Sequence, residues 1–177
     1  MPSLPKPSII LLAALAAAGR FLPHPPNFTP VGGTALFGGA KLSRPWNYLL
    51  PLLIMFVTDI FLGFHATMPY VYVSFIVAVF LGERFLNRPT ASRVVGISLL
   101  SSTLFFIISN FGVWLSGGLY PQTIDGLVRC YVMAIPFFQW TIAGDLVYTL
   151  GFFGLYALAE SRGLARKFDS RVIGWLR

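Results

Sequence analysis

KLSRPWNYLLPLLIMFVTDIFLGFHATMPYVYVSFIVAVFLGERFLNR, residues Lys41–Arg88, is the stretch on which the fold turns. It holds two apolar runs, Asn47–Phe64 and Pro69–Leu86. Each is close to the ~20 residues a helix needs to cross the ~30 Å hydrocarbon core of a bilayer. Lys41 and Arg44 stand before the first run, and Arg84 and Arg88 close the second. Between the runs, His65–Pro69 carries no Lys, Arg, Asp or Glu. Basic residues resist translocation and stay on the cytoplasmic side. Two antiparallel spans with their connecting loop outside satisfy all of this.

The same alternation extends in both directions. The gap Pro23–Pro30 is also free of charge, Arg93 joins Arg84 and Arg88, and Arg162, Arg166, Lys167, Arg171 and Arg177 crowd the end of the chain. Only 11% of the residues are charged, less than half the ~25% of an ordinary soluble domain. With 56% hydrophobic residues and a mean hydropathy of +0.74, the chain reads as an all-α integral membrane protein. The net charge of +7 is then the positive-inside bias and implies no nucleic-acid partner. One cysteine, Cys130, excludes an intramolecular disulfide and any multi-cysteine metal site.

Six spans are expected in a single domain, 1–177: Ser8–Leu22, Pro30–Lys41, Asn47–Phe64, Pro69–Leu86, Val94–Leu115 and Pro136–Ala159. A basic cytoplasmic tail, 160–177, follows. Six spans put Lys6, every basic gap and both termini on one side, whereas five would misplace Lys6. The second span is the short one, rising only ~18 Å. Its Gly32, Gly33, Gly38 and Gly39 suit close helix contact, and it either spans or enters in part as a re-entrant segment. The third external stretch, Gly117–Ile135, repeats apolar residues at helical spacing (Ile124, Leu127, Val128, Tyr131, Val132), which predicts a short interfacial helix ahead of Pro136. Lys6, Ile9–Ala18 and the small residues after them also fit a secretory signal, but removing that segment spoils the charge alternation.

Ionisable side chains within spans cost several kcal/mol, on the order of 3 for Asp or Arg at the centre, so they face the bundle interior in pairs or line a wet cavity. Arg20, Asp59, Asn110, Trp114, Gln139 and Asp145 come from four spans yet all fall in the outer half or near mid-depth. One reading is an outward-opening polar pocket. The other is a clamp, with Arg20 paired to Asp59 or Asp145. His24, Asn27, His65 and Tyr120 lie above on the external loops, and the proline-rich first loop is stiff enough to serve as lid, wall or plain connector. No metal-binding spacing joins His24, His65 and Cys130, so no metal site is expected and Cys130 reads as a packed small side chain. The paired phenylalanines at 105–106, 137–138 and 152–153 read as lipid-facing or core, and Trp46, Trp114, Trp140, Tyr70, Tyr72 and Tyr120 as interfacial belts. Trp114 and Tyr120 could equally stack on a flat ligand. No G-x-S-x-G, H-E-x-x-H or phosphate-loop motif is present, so neither enzymatic activity nor a cofactor is expected.

The first span reads AALAAAGR, placing Ala13 with Ala17 and Ala14 with Ala18 in a small-residue stripe that lets another helix approach. This stripe, the length, the six-span plan and the basic tail resemble the substrate-binding S components of energy-coupling factor transporters. The stretches RFLPHPPNFTPVGGTALFGGA, LPLLIMFVTDIFLGFH and SNFGVWLSGGLYP also look like a small uncharacterised family of bacterial membrane proteins. The S-component resemblance implies a subunit of the bacterial cytoplasmic (inner) membrane that binds a vitamin or metal-related ligand in its outer half. A corrinoid is one candidate. Its alanine face would dock on a transmembrane coupling subunit driven by ATPases. The binding residues expected are Arg20, His24, Asn27, Asp59, His65, Asn110, Trp114, Tyr120, Gln139 and Asp145, and alanine at Asp59 or Asn110 is expected to abolish ligand retention without unfolding the bundle. The alternative is a non-catalytic accessory subunit of a larger membrane complex, with no pocket. A membrane enzyme acting on a lipid lacks its acid–base pair.

Overall fold

A computed structural model describes residues 7–116 and 118–164. Lys6 and the tail from 165 onward lie outside the described residues. The chain forms six α-helices, α1 Pro7–Gly19, α2 Val31–Lys41, α3 Trp46–Leu62, α4 Met68–Phe85, α5 Ala91–Ser116 and α6 Ile124–Ser161, with no strand among the described residues. Three of them, α4, α5 and α6, are long and apolar enough to cross a membrane; α3 is apolar and nearly as long. Large apolar side chains such as Leu53, Ile60, Phe61, Val73 and Phe80 stand exposed along α3 and α4, as expected of a surface solvated by lipid. The protein is an all-helical, membrane-embedded bundle.

α2 sits at the centre. Val31 to Gly39 are all buried, and the helix packs along α3, α4 and α6. Glycine makes this possible at the crossing with α4. A Cβ on Gly39 would lie 2.2 Å from the carbonyl oxygen of Val79, and one on Gly82 would lie 2.1 Å from that of Leu36, so the two backbones touch. Leu36, Phe37, Val79 and Leu81 fill the space around this contact. Because protein covers α2, its ~17 Å length need not match the bilayer.

Several boundaries differ from expectation. The first helix ends at Gly19, so Arg20 lies in the following turn rather than within a span. Pro136 does not start the last helix, nor is there a separate interfacial helix before it: α6 runs unbroken from Ile124, and Pro136 lies inside it on an exposed face. A proline there forfeits one backbone bond and leaves the carbonyl four residues earlier unpaired, but neighbouring turns hold the helix. What starts α6 is Thr123, whose hydroxyl accepts from the Gly126 N–H at 3.2 Å, with Asp125 favourably placed in the first turn. At ~57 Å, α6 exceeds the hydrocarbon core and projects beyond it.

The bundle has two unlike ends. Lys41, Arg44, Arg84, Arg88 and Arg93 gather at one. Arg44 there forms a forked pair with Glu83 at 2.7 and 3.0 Å, and the hydrogen bond to Glu83 raises the Arg44 pKa. Tyr48 donates to the same carboxylate at 2.7 Å. The loops holding His24 and His65 form the other end.

Candidate functional site

Near the end bearing His24 and His65, the helices part around a cavity of about 250 Å³. Arg20, Asn27 and Thr29 come to it from the α1–α2 loop, and Gly32 from the first turn of α2. His65 stands at the α3–α4 loop, and Ser74, Ser101, Thr141 and Asp145 supply polar groups from α4, α5 and α6. Met55, Val71, Phe75 and Phe105 complete the walls. A second cavity of about 190 Å³ adjoins it, sharing Asn27, Val71, Phe105 and Thr141 and adding Ser109 and Asn110. An apolar lining with a few convergent polar groups drawn from separate elements is the usual make-up of a small-molecule site.

The α1–α2 loop is a wall of this site. Phe28 is tucked against α6 with ring centroids 5.6 Å from Tyr148 and 6.4 Å from Trp140. Gly144 leaves room for it: a Cβ there would lie 3.1 Å from the Phe28 Cα. Next to it Asn27, with φ of 66°, takes the left-handed conformation that Asn tolerates better than most residues, and it reaches both cavities.

Two carboxylates have very different surroundings. Asp59 accepts from the Arg20 guanidinium at 2.9 Å and from the Tyr72 hydroxyl at 2.9 Å. Arg20 also donates to the Thr58 hydroxyl. The expected clamp therefore exists, between Arg20 and Asp59, with Tyr72 drawn from the presumed aromatic belt into it. Asp145 is only 7% exposed and accepts from the Ser102 hydroxyl at 2.6 Å. Among the described residues it has no ion-pair partner. Against it lies the start of α2, where a Cβ on Gly32 would fall 1.9 Å from Asp145 Oδ1.

Of the residues expected at the site, Arg20, Asn27, His65 and Asp145 share the first cavity, and Asn110 lines the second. Asp59 stands behind Arg20 rather than at either cavity wall, and its removal would leave a guanidinium whose side chain is only 15% exposed without its carboxylate. His24, Trp114, Tyr120 and Gln139 line neither cavity. The His24 ring rests against its neighbour's carbonyl, with Nδ1 2.9 Å from Pro25 O. Trp114 donates its indole N–H to Pro121 O at 2.9 Å and so pins the turn that holds Tyr120. Gln139 is exposed on another face of α6. Phe105, Phe106 and Phe137, read as lipid-facing or core, are cavity wall. Cys130 is packed at 2% exposure with its thiol 3.4 Å from Asn110 O. Of the alanine stripe, Ala14 and Ala18 are exposed, while the side chains of Ala13 and Ala17 lie outside the described residues.

Sequence reasoning missed Gly32, Ser74, Ser101, Ser102 and Thr141. A signal existed for the serines: Ser98, Ser101 and Ser102 fall at positions i, i+3 and i+4 of an apolar helix and therefore share one face.

Fold and cavity together define a helical, membrane-embedded protein with an internal cavity, mostly apolar, into which a few polar groups converge. Residues 4–167 match DUF6580, a family of unknown function, and the chain belongs to that family. No curated protein and no solved structure matches the chain.

Proposed function

We propose that the chain is the substrate-binding membrane subunit of an uptake system for a small nutrient, akin to an S component. It would cross the bacterial cytoplasmic membrane six times, with both termini inside and the cavity facing out. The observation that carries this reading is the pair of adjoining cavities, lined by polar groups from the α1–α2 and α3–α4 loops and from α4, α5 and α6, and walled in part by a loop. The orientation is supported by the gathering of Lys41, Arg44, Arg84, Arg88 and Arg93 at the end away from the cavity. Ala14 and Ala18, exposed on α1, offer the face on which a transmembrane coupling subunit would dock.

Cavities of about 250 and 190 Å³ suit a ligand at the small end of the usual range, a vitamin of one or two rings. A whole corrinoid macrocycle is too bulky, so that candidate loses ground. The accessory-subunit reading draws on the Arg20–Asp59 clamp, but a clamp accounts for Asp59 and leaves the cavity and Asp145 without a purpose.

Mass spectrometry of small molecules released from the detergent-solubilised protein tests the proposal. One compound should be retained by the natural protein and lost from Ser101→Phe, which fills the cavity at a residue only 5% exposed. The reading fails if no compound is retained, or if the filled variant retains the same one.

A further inference from the structure

Below the cavity a track of hydroxyls continues into the bundle. α5 and α6 run antiparallel, so moving from Ser102 back to Ser98 and from Asp145 on to Thr149 goes one turn in the same direction, toward the basic end. Ser98, Ser102 and Thr149 are each 0% exposed. The Oγ of Ser98 and the Oγ1 of Thr149 have no hydrogen-bond partner among the described residues. Ser102 Oγ lies 2.6 Å from Asp145 Oδ2 and 3.0 Å from Ser98 O, yet a hydroxyl has one proton and satisfies one acceptor at a time. Buried polar groups without partners are uncommon in folded proteins and call for an explanation.

Charge is short in the same place. Thr141, Ser101 and Gly32 share the cavity wall with Asp145, Ser102 is bonded to it, and Ser98 and Thr149 follow one helical turn further on. Arg20 is engaged by Asp59, and His65 stands at the mouth. The α2 N-terminus lends at most about half a positive charge. A carboxylate and several hydroxyl and carbonyl oxygens, with no nitrogen or sulfur donor, make a hard-cation donor set. A single carboxylate matches a single positive charge.

We propose that Asp145, Ser102, Ser98 and Thr149 form a binding site for a monovalent alkali cation, Na⁺ first, reached from the cavity above. In membrane bundles such ions sit near mid-depth, beside the substrate site. The site goes beyond the nutrient-binding reading, and its test is independent of any ligand. Thermal unfolding of the full chain in detergent is followed as NaCl replaces choline chloride at constant ionic strength. Na⁺ should raise the midpoint saturably, by about 5–10 °C at a hundred times its half-saturating concentration. KCl should need at least about tenfold more. Asp145→Asn should abolish the response. Thr149→Val, nearly equal in volume and so able to keep the fold, should raise the half-saturating concentration about fivefold or more. The proposal is overturned by equal midpoints in Na⁺ and choline, or by a full response in Asp145→Asn. It is equally overturned if acidification in choline supplies all the stabilisation and Na⁺ adds none, since the carboxylate then takes only a proton.

Discussion

Gly32→Ala is the change that most directly tests how the cavity floor is built. The added Cβ would meet Asp145 Oδ1 at 1.9 Å, Cγ at 2.7 Å and Oδ2 at 3.0 Å, all atoms of one side chain. Restoring ordinary van der Waals separation requires Oδ1 to retreat by about 1.5 Å. Ser102 donates to the other oxygen, Oδ2, at 2.6 Å; the carboxylate is rigid, so a turn that carries Oδ1 away displaces Oδ2 as well and stretches that bond past the ~3.0 Å limit of O–H···O bonds. A hydrogen bond to a charged group contributes about 1.5–3 kcal/mol. At about 2–4 °C per kcal/mol for a chain of this size, the unfolding midpoint should drop by about 3–12 °C. The Na⁺ response and ligand retention should fall together, because the displaced carboxylate is common to both. Gly39→Ala is the informative contrast. Its Cβ would lie 2.2 Å from Val79 O, a backbone atom that cannot turn aside, so α2 and α4 must separate. That variant should fail to give a monodisperse folded protein, whereas Gly32→Ala should give one. A Gly32→Ala protein with unchanged midpoint and unchanged Na⁺ response would falsify the placement of Asp145 against α2.

Asp59→Ala should cost about 3–5 kcal/mol, because it leaves Arg20, whose side chain is only 15% exposed, as an unpaired charge; a double variant Arg20→Leu/Asp59→Leu should recover much of the loss in thermal unfolding. Equal destabilisation by the single and double changes would show that the pair is no clamp. In a Cys130→Ser background, a membrane-impermeant maleimide on intact cells should label Leu119→Cys, whose native side chain is 75% exposed at the far end of α5, and should label Asn87→Cys only after lysis. The reverse pattern would invert the orientation.

The polar positions inside the apolar runs were legible because burying a charge is costly wherever it occurs, and that cost does not depend on the fold. Position along the bundle was legible from the alternation of basic and charge-free gaps, which sets Arg20, Asn27, His65 and Asp145 toward the end away from Lys41 and Arg44. Among the polar residues of α6, the face each occupies decides which of them reach the cavity. Thr141 and Thr149 stand one turn either side of Asp145 and share its face, whereas Gln139, six residues away, is rotated by about 120°. Applying that rule would have exchanged Gln139 for Thr141. Choosing Asp59 rather than Asp145 as the partner of Arg20 was beyond the sequence, since both carboxylates lie at reachable depth and only the packing of α3 against the α1–α2 turn decides.

The glycines of α2 show where local reading stops and tertiary structure begins. Four glycines in eleven residues announce close packing on any side, and α2 has it: Gly39 against α4, and Gly32 and Gly33 against α6. The two contacts serve different ends. At Gly39 the neighbour is a main-chain carbonyl, so the missing side chain sets the distance between helices. At Gly32 the neighbour is the Asp145 carboxylate itself, so the missing side chain makes room for a charge. A carboxylate at position 145 is thus sterically tied to glycine at position 32, more than a hundred residues away. The positive end of α2 facing that carboxylate offsets part of its burial cost, by about 0.3–1 kcal/mol and up to ~2 in partly buried geometries. That is less than the several kcal/mol a buried ion loses on leaving water. The Ser102 hydrogen bond offsets a further part, and the remainder falls to a proton on the carboxylate or to a cation from the cavity, the two outcomes that the Na⁺ and acid titrations separate.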